Sequence, residues 1–561
     1  MFCDGKLYFA KTGSDLSEKI YLYPKMANRH GFICGATGTG KTVTLKVLAE
    51  SFSQMGVPVF LADVKGDLSG MISAGEDSEN MQERIRRFGL AEDGFSYQAF
   101  PTAFFDIFAK GGIPLRTTIS EMGPQLMAAV LDLNDTQTDV LSVVYKIADD
   151  ESLILSDTKD LKAILQYASE KADEYELEYG RIAKASVTAI VRAIVSLESE
   201  GGDLFFGEPA INVADFFTTD AGGKGQINIL DSSSLINNPR LYSAFMLYLL
   251  SELFEIMPEI GDPEKPRIVF FFDEAHLLFK TASDALLEKI EQMIKLIRSK
   301  GVGIYFVTQS PGDIPNGVIA QLGNKIEHAL HAYTPAERKA LKAAAESFRE
   351  NPEFDTVELL SALGTGEAIV SMLDEKGIPQ EAQHAYILPP MSHMGTISDT
   401  EREQAIRLSN LYLKYNTPVD PDSAFEFLER RHQQLTEELQ KQKEEAAAEK
   451  KAEKERQAAE KEAERERLRA EKAAEKEKER AEREAEKEKE RAQKEAEKAM
   501  QKEKRAIERS IRSVASTAMG SVGRELGHSV GKKMGGSFGK TLGGNIGASL
   551  GRNILGTLFK R

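Results

Sequence analysis

Along roughly the first 415 residues, short strand-like runs rich in apolar residues alternate with longer stretches in which apolar positions recur every three or four residues. The short runs fall at 31–34, 57–63, 226–231, 266–273, 302–308, 325–329 and 367–372. The run 268–272, Ile-Val-Phe-Phe-Phe, is wholly apolar, as expected of a strand buried on both faces of a parallel sheet. Between them the helical period dominates, as in 43–49 and 186–197. From about 117 to 200 helix follows helix, and this stretch reads as an insertion between the second and third strands. Strands alternating with helices predict an α/β fold of the RecA-like P-loop type, its mostly parallel sheet covered on both faces.

The pattern changes near residue 416. From about 429 to 510 the chain is almost entirely Ala, Glu, Lys, Arg and Gln, and residues 441–500 hold 20 Lys+Arg against 20 Glu. Leu468 and Met500 are the large aliphatics there, so the apolar seam of a coiled coil is missing. Dense i,i+4 Glu–Lys and Glu–Arg pairs predict instead a long charged helix over 416–510, reaching roughly 100 Å; a disordered charged linker is the competing reading. In the tail, 511–561, Gly523, Gly527, Gly531, Gly535, Gly539, Gly543, Gly547 and Gly551 recur every fourth residue, each after an apolar residue. Such a stripe suits close helix packing or contact with a membrane surface, yet glycine costs about 1 kcal/mol per helical position. A flexible basic appendage is the alternative.

Charge is divided unevenly. The chain carries −16 overall, its tail 511–561 carries +7, and residues 1–440 carry −25. So acidic a region lacks the overall footprint of a DNA-binding domain, unless basic residues are confined to the pore of a ring. Two cysteines, Cys3 and Cys34, predict a reducing compartment, and no run approaches a membrane span or signal peptide, so a cytoplasmic location is expected.

The chemistry concentrates at strand ends. Gly35-Ala36-Thr37-Gly38-Thr39-Gly40-Lys41-Thr42 is a complete G-x-x-x-x-G-K-[ST] loop between a strand and a helix. Its glycines let successive N–H groups turn toward a phosphate at a helix N-terminus, where the dipole favours an anion. Lys41 is expected on the β- and γ-phosphates of ATP and the Thr42 hydroxyl on Mg²⁺; the nucleotide-binding stretch runs from Gly35 to Val43. A glycine-rich turn matching by chance would not have both neighbours in place. The run 267–272 ends in Asp273 and Glu274. Asp273 is suited to hold Mg²⁺ through water and Glu274 to polarise the attacking water. Gln309, ending the strand 303–308, is a candidate γ-phosphate sensor between the two motif strands. His30 and His276 read as packing residues, and no His/Cys spacing suggests zinc. Two segments, Asp63-Val64-Lys65-Gly66-Asp67 and Pro389-Pro390-Met391-Ser392-His393, carry no assignable role.

Together, Asn28-Arg29-His30-Gly31, the phosphate loop, Asp273-Glu274 and Arg298-Ser299-Lys300-Gly301 leading to Thr308-Gln309 resemble the HerA/FtsK superfamily of ring-forming P-loop ATPases, and within it the bacterial HerA-like group. The resemblance covers roughly residues 1–400. It implies additional strands beside the core, a homo-hexamer, and ATP-driven movement of DNA through a central pore. In such rings an arginine from one subunit completes the neighbour's site, and by position Arg298 and Arg29 are the candidates; a planar, permanently charged fork suits the task. Ser310 departs from the arginine that many relatives carry after Thr-Gln. The residues before the loop are too few for the N-terminal barrel of archaeal HerA proteins, so a nuclease docked on such a barrel is not expected. The leading expectation is a Mg²⁺-dependent motor ATPase with DNA as partner. The competing class is a mechanochemical or scaffolding ATPase acting on protein or membrane through the charged arm and tail.

Overall fold

A strand without a solvent-facing side must lie inside a sheet, and the apolar runs are assembled in that way. The computed structural model describes residues 1–489 apart from residues 4, 14 and 281–283. Thirteen strands occur among them: β1 (Phe2–Cys3), β2 (Lys6–Thr12), β3 (Glu18–Leu22), β4 (Gly31–Cys34), β5 (Val59–Asp63), β6 (Thr102–Asp106), β7 (Ile113–Pro114), β8 (Ile227–Asp231), β9 (Ile268–Phe272), β10 (Val302–Thr308), β11 (Asn324–His328), β12 (Glu367–Ser371) and β13 (Gln383–Ile387). They form one sheet in the order β1-β2-β13-β12-β11-β4-β10-β9-β5-β8-β6-β7, with β3 on the far side of β2. From β11 to β7 all neighbours are parallel, whereas β12, β13, β2, β1 and β3 pair antiparallel.

The seven expected strands are present within two residues at each end. The helical insertion lies between β5 and β8, over 119–199, as expected, but it does not begin directly after β5. It follows β6 and β7, two strands that stand between β5 and β8. The run Thr-Ala-Phe-Phe-Asp of β6 is short, and its apolar residues alone do not separate it from a loop.

Helix α1 (Lys41–Gln54) covers one face of the sheet and helix Pro239–Ile256 the other. The alternation of the strand sorts aromatic residues between these faces. Phe271 of β9 stacks on Tyr305 of β10 at 5.1 Å, and Phe52 of α1 lies 6.2 Å and 6.3 Å from these two rings. On the opposite face Phe60 of β5 meets Phe270 at 5.4 Å and Phe245 of the second helix at 6.0 Å.

The chain divides into two compact units, one of Met1–Glu170 with Ile182–Phe425, the other of Lys171–Arg181 with the described residues from Glu426 onward. The second unit holds most of a single helix, Ala424–Lys489, whose 66 residues extend roughly 100 Å. Strong helix formers, with Glu and Lys or Arg at i,i+4 spacing in the sequence, account for it. The expectations for 490–510 and for the glycine-periodic tail lie outside the described residues. No helix among the described residues is long and apolar enough to cross a membrane.

Phe52 is completely buried and touches both central strands through their aromatic rings. Phe52→Ala should therefore destabilise the first unit by about 3–5 kcal/mol, read as a lower urea midpoint at unchanged slope.

Candidate nucleotide site

The phosphate loop follows β4 and is held from the side of β11. Ala36 N–H donates to Ala329 O at 2.9 Å, and Gly366 N–H donates to Thr39 O at 2.9 Å. Gly35 has φ +150°, and a Cβ there would stand 2.5 Å from that of His328. Gly40 has φ +117°, and a Cβ on it would lie 3.3 Å from Gly366 Cα. Both glycines are thus required by conformation and by close approach. Lys41 Nζ donates to Gly35 O at 2.6 Å and Ala36 O at 3.0 Å, which lays the side chain across the loop. Burial lowers the pKa of its ammonium, against the nearby Glu274 charge. Thr42 and Val43 are half-buried at the start of α1.

Beneath the loop stands His328, which no sequence motif marks. Its Nδ1–H donates to Glu367 O at 2.8 Å, and its Nε2 accepts from the Thr44 hydroxyl at 2.8 Å. A carbonyl can only accept, so Nδ1 carries the proton, and burial, which pushes the ring down to about 4, keeps it neutral near pH 7. His30, before β4, is similarly neutral: Nδ1 accepts from Ile304 N–H at 3.1 Å and Nε2–H donates to Ile294 O at 2.9 Å. Both ring nitrogens are thus taken up in tying the start of β4 to β10 and to the helix Asp284–Ile297.

Parallel pairing places the other motifs beside the loop. β10 lies between β4 and β9, with Thr308 level with Cys34 and Phe306 level with Phe272. Asp273 and Glu274 are 7 % and 5 % exposed. Glu274 N–H donates to Asp273 Oδ1 at 2.9 Å, and Glu274 adopts φ +48°, a left-handed backbone unfavourable to a residue with a Cβ. Gln309 Nε2 donates to Glu274 Oε2 at 3.1 Å, and Lys65 Nζ pairs with Oε1 at 2.8 Å. His276 Nδ1 lies 3.2 Å from Oε2 but makes no hydrogen bond, so proximity and not bonding describes it. Burial pushes the Asp273 carboxyl up to about 7, aided by the Glu274 charge. Burial also raises Glu274, but Lys65 and Gln309 outweigh it and hold that carboxyl below its ordinary range. Lys65 was within reach of the sequence, in the segment 63–67, but nothing in its spacing indicated that it turns back to β9.

Three further acids end parallel strands, and their hydrogen bonds separate them from this pair. Asp63 accepts from the N–H groups of Lys65, Gly66 and Leu68; Asp106 accepts from those of Phe108, Lys110 and Gly111. Asp231 accepts from Ser233 and pairs with Arg402 at 2.8 Å. All three shape turns. The segment 389–393 is also structural: Glu50 of α1 accepts from Met391 N–H, Ser392 N–H and the Ser392 hydroxyl, and Lys46 donates to His393 O.

Arg29 and Arg298 stand at the opposite ends of β4 and β10, before the strands begin. Both bind Asp262, at 3.1 Å and 3.3 Å. The length of β10 sets them roughly 20 Å from their own chain's loop.

A protein-family model described as helicase HerA-like C-terminal matches residues 10–489. The chain is 22 % identical over 378 residues to the DNA double-strand break repair helicase HerA of Sulfurisphaera tokodaii, covering 66 % of this chain and 67 % of that one. To the protein of the same name from Sulfolobus acidocaldarius it is 22 % identical over 377 residues, with the same coverage. Among solved structures, the bacterial conjugative coupling protein TrwBdeltaN70 superposes with a TM-score of 0.46 at 14 % identity, over 69 % of this chain and 92 % of that one. VirB4 of Thermoanaerobacter pseudethanolicus gives 0.43 at 18 % identity, over 69 % and 97 %.

The two buried histidines make stability depend on pH. Burial pushes both down to about 4, below the 6.5 of an exposed imidazole. The unfolded chain then binds more protons than the folded one between these values. Stability should be undiminished above pH 6.5 and fall as pH approaches 4, by about 2 kcal/mol per histidine between pH 7 and 5. Urea unfolding at a series of pH values reads this, and His328→Gln should remove close to half of the slope attributable to the pair.

Proposed function

The chain belongs to the helicase HerA-like C-terminal family, and from that membership we propose that it is a Mg²⁺-dependent motor ATPase which assembles as a ring and moves DNA. One observation carries the reading: the phosphate loop, Gln309 and the Asp273-Glu274 pair end three adjacent parallel strands, β4, β10 and β9.

Each residue has a chemical part in this proposal. Backbone N–H groups of 35–42 cradle the phosphates, and Lys41 leaves the loop carbonyls for the β- and γ-phosphates, exchanging two neutral acceptors for anionic ones. The half-buried Thr42 hydroxyl and Asp273 fit a hard cation. One Asp273 oxygen receives Glu274 N–H, and no other hydrogen bond to this carboxylate occurs among the described residues. Mg²⁺ held there would neutralise phosphate charge. Glu274, kept ionised by Lys65 and Gln309, orients the attacking water and accepts its proton. Gln309 is positioned to report the γ-phosphate to the same carboxylate. Because Arg29 and Arg298 lie at the far ends of their strands, a phosphate contact by either requires a second subunit, and the proposed ring supplies it.

Lys41→Ala should weaken ATP binding, whereas Glu274→Gln should retain binding and lower turnover by at least about a hundredfold. Equilibrium nucleotide binding and phosphate release measure the two effects; undiminished turnover in Glu274→Gln would remove the assigned base. Mixing Arg298→Ala with Glu274→Gln subunits should restore activity at interfaces that hold both intact residues, and a fully active monomer by light scattering would exclude either arginine acting across subunits. Double-stranded DNA should raise the ATPase rate of the intact chain. A rate indifferent to DNA would favour a motor acting on protein or membrane.

A further inference from the structure

The triphosphate proposed above has a direction that the sheet order sets. Its γ end must face Glu274 and Gln309, on the β10 and β9 side of the loop. The α-phosphate and nucleoside therefore point the other way across β4, toward β11 and β12. On that side the turn before β12 closes against the loop: Gly366 donates to Thr39 O at 2.9 Å, and its Cα would stand 3.3 Å from a Cβ on Gly40.

Over this turn lies Arg84, from helix α2 (Glu79–Arg87). A Cβ on Gly366 would be 3.5 Å from both Arg84 Nη1 and Nη2, so the guanidinium rests directly on the turn that holds the loop. The other charged side chains of the region are engaged. Glu367 accepts from His384 Nε2 at 3.2 Å and from Gly364 N–H at 3.1 Å. Arg87, one turn along α2, lies over the Tyr386 ring at 5.2 Å. Arg86 Nε donates to Gln82 O at 3.3 Å. Arg84 is half-buried, and among the described residues no carboxylate pairs with its guanidinium. A cation beside a polyanion-binding loop, without a counter-ion of its own, matches a phosphate better than it matches the protein around it.

We infer that Arg84 binds the α-phosphate of the nucleotide seated in the loop 35–42. The inference rests on the ATPase reading and adds a ligand from a helix that no sequence motif marks. Because the α-phosphate is common to ATP and ADP and does not react, the contact is uniform: it holds ground state and transition state alike, and lowers KM without changing kcat.

The test uses the full chain with ADP and ATP·Mg²⁺ as probes. Arg84→Ala should raise Kd for both nucleotides by the same factor, about tenfold, and raise KM equally, with kcat at saturating ATP within twofold of the parent. Arg84→Gln, which keeps the stem and a polar tip, should show the same loss if the alanine variant folds poorly. Arg84→Lys should recover most of the affinity because a point charge suffices for a phosphate oxygen, and Arg86→Ala should change nothing. A loss confined to ATP would place Arg84 on the γ-phosphate, and a fall in kcat at saturation would place it in the transition state; either overturns the inference, as does unchanged ADP binding. A parent chain that binds neither nucleotide would overturn the ATPase reading itself, which separates the two failures.

Discussion

The side-by-side parallel pairing of β4, β10 and β9 is the constraint from which the site follows. These strands are buried on both faces, with Phe270 and Phe271 turned to opposite helical layers and both inaccessible to water. A polar side chain inside such a strand would forfeit hydration without a partner, at a cost of roughly 2–7 kcal/mol. Polar chemistry is therefore driven to the strand ends, and parallel pairing gathers those ends along one edge. The loop after β4, Gln309 after β10 and Asp273-Glu274 after β9 meet there without any long-range signal between the three segments.

Being at that edge is not sufficient for chemistry, because each strand end must also turn the chain. Asp63 and Asp106 each accept three backbone N–H groups, leaving little capacity for a metal or a water. Asp273 accepts one. Glu274 adopts its left-handed backbone and receives only side chains, Lys65 and Gln309, which can exchange partners without unfolding a turn. Hydrogen-bond occupancy, more than acidity or burial, distinguishes the proposed catalytic pair from its structural neighbours.

This also marks how far the sequence could be read. The seven central strands, α1 and the motif residues were legible because consecutive apolar residues and a fixed loop spacing are local signals. Beyond β12, the antiparallel extension was not. In β13, Gln-His-Ala-Tyr-Ile mixes polar and apolar positions as a half-exposed strand does, and the short β6 resembles many loops. His328 and Lys65 were illegible for another reason. Their importance lies in contacts made across 284 residues to Thr44 and from β5 to Glu274, and neither has a characteristic neighbour in sequence. The segment 389–393, rich in turn residues, could have been placed anywhere on the surface until the buried Glu50 carboxylate claimed its backbone.

The two ends of the sheet then differ in how firmly they hold their charges. At the nucleotide end, Glu274 is 5 % exposed, so releasing Lys65 would leave a poorly solvated carboxylate, and an incoming cation must compensate it. At the opposite end, Arg29 and Arg298 share Asp262, whose side chain is 46 % exposed. Exposed pairs of this kind contribute about 0–1 kcal/mol. A doubly charged phosphate group from a neighbouring site would outcompete one half-exposed carboxylate, since it offers more charge and more acceptor oxygens to the same planar forks. The asymmetry gives the proposed ring its logic: the firmly held charges stay within a subunit and set the base, while the loosely held arginines remain free to change partners when a neighbour brings its nucleotide within reach.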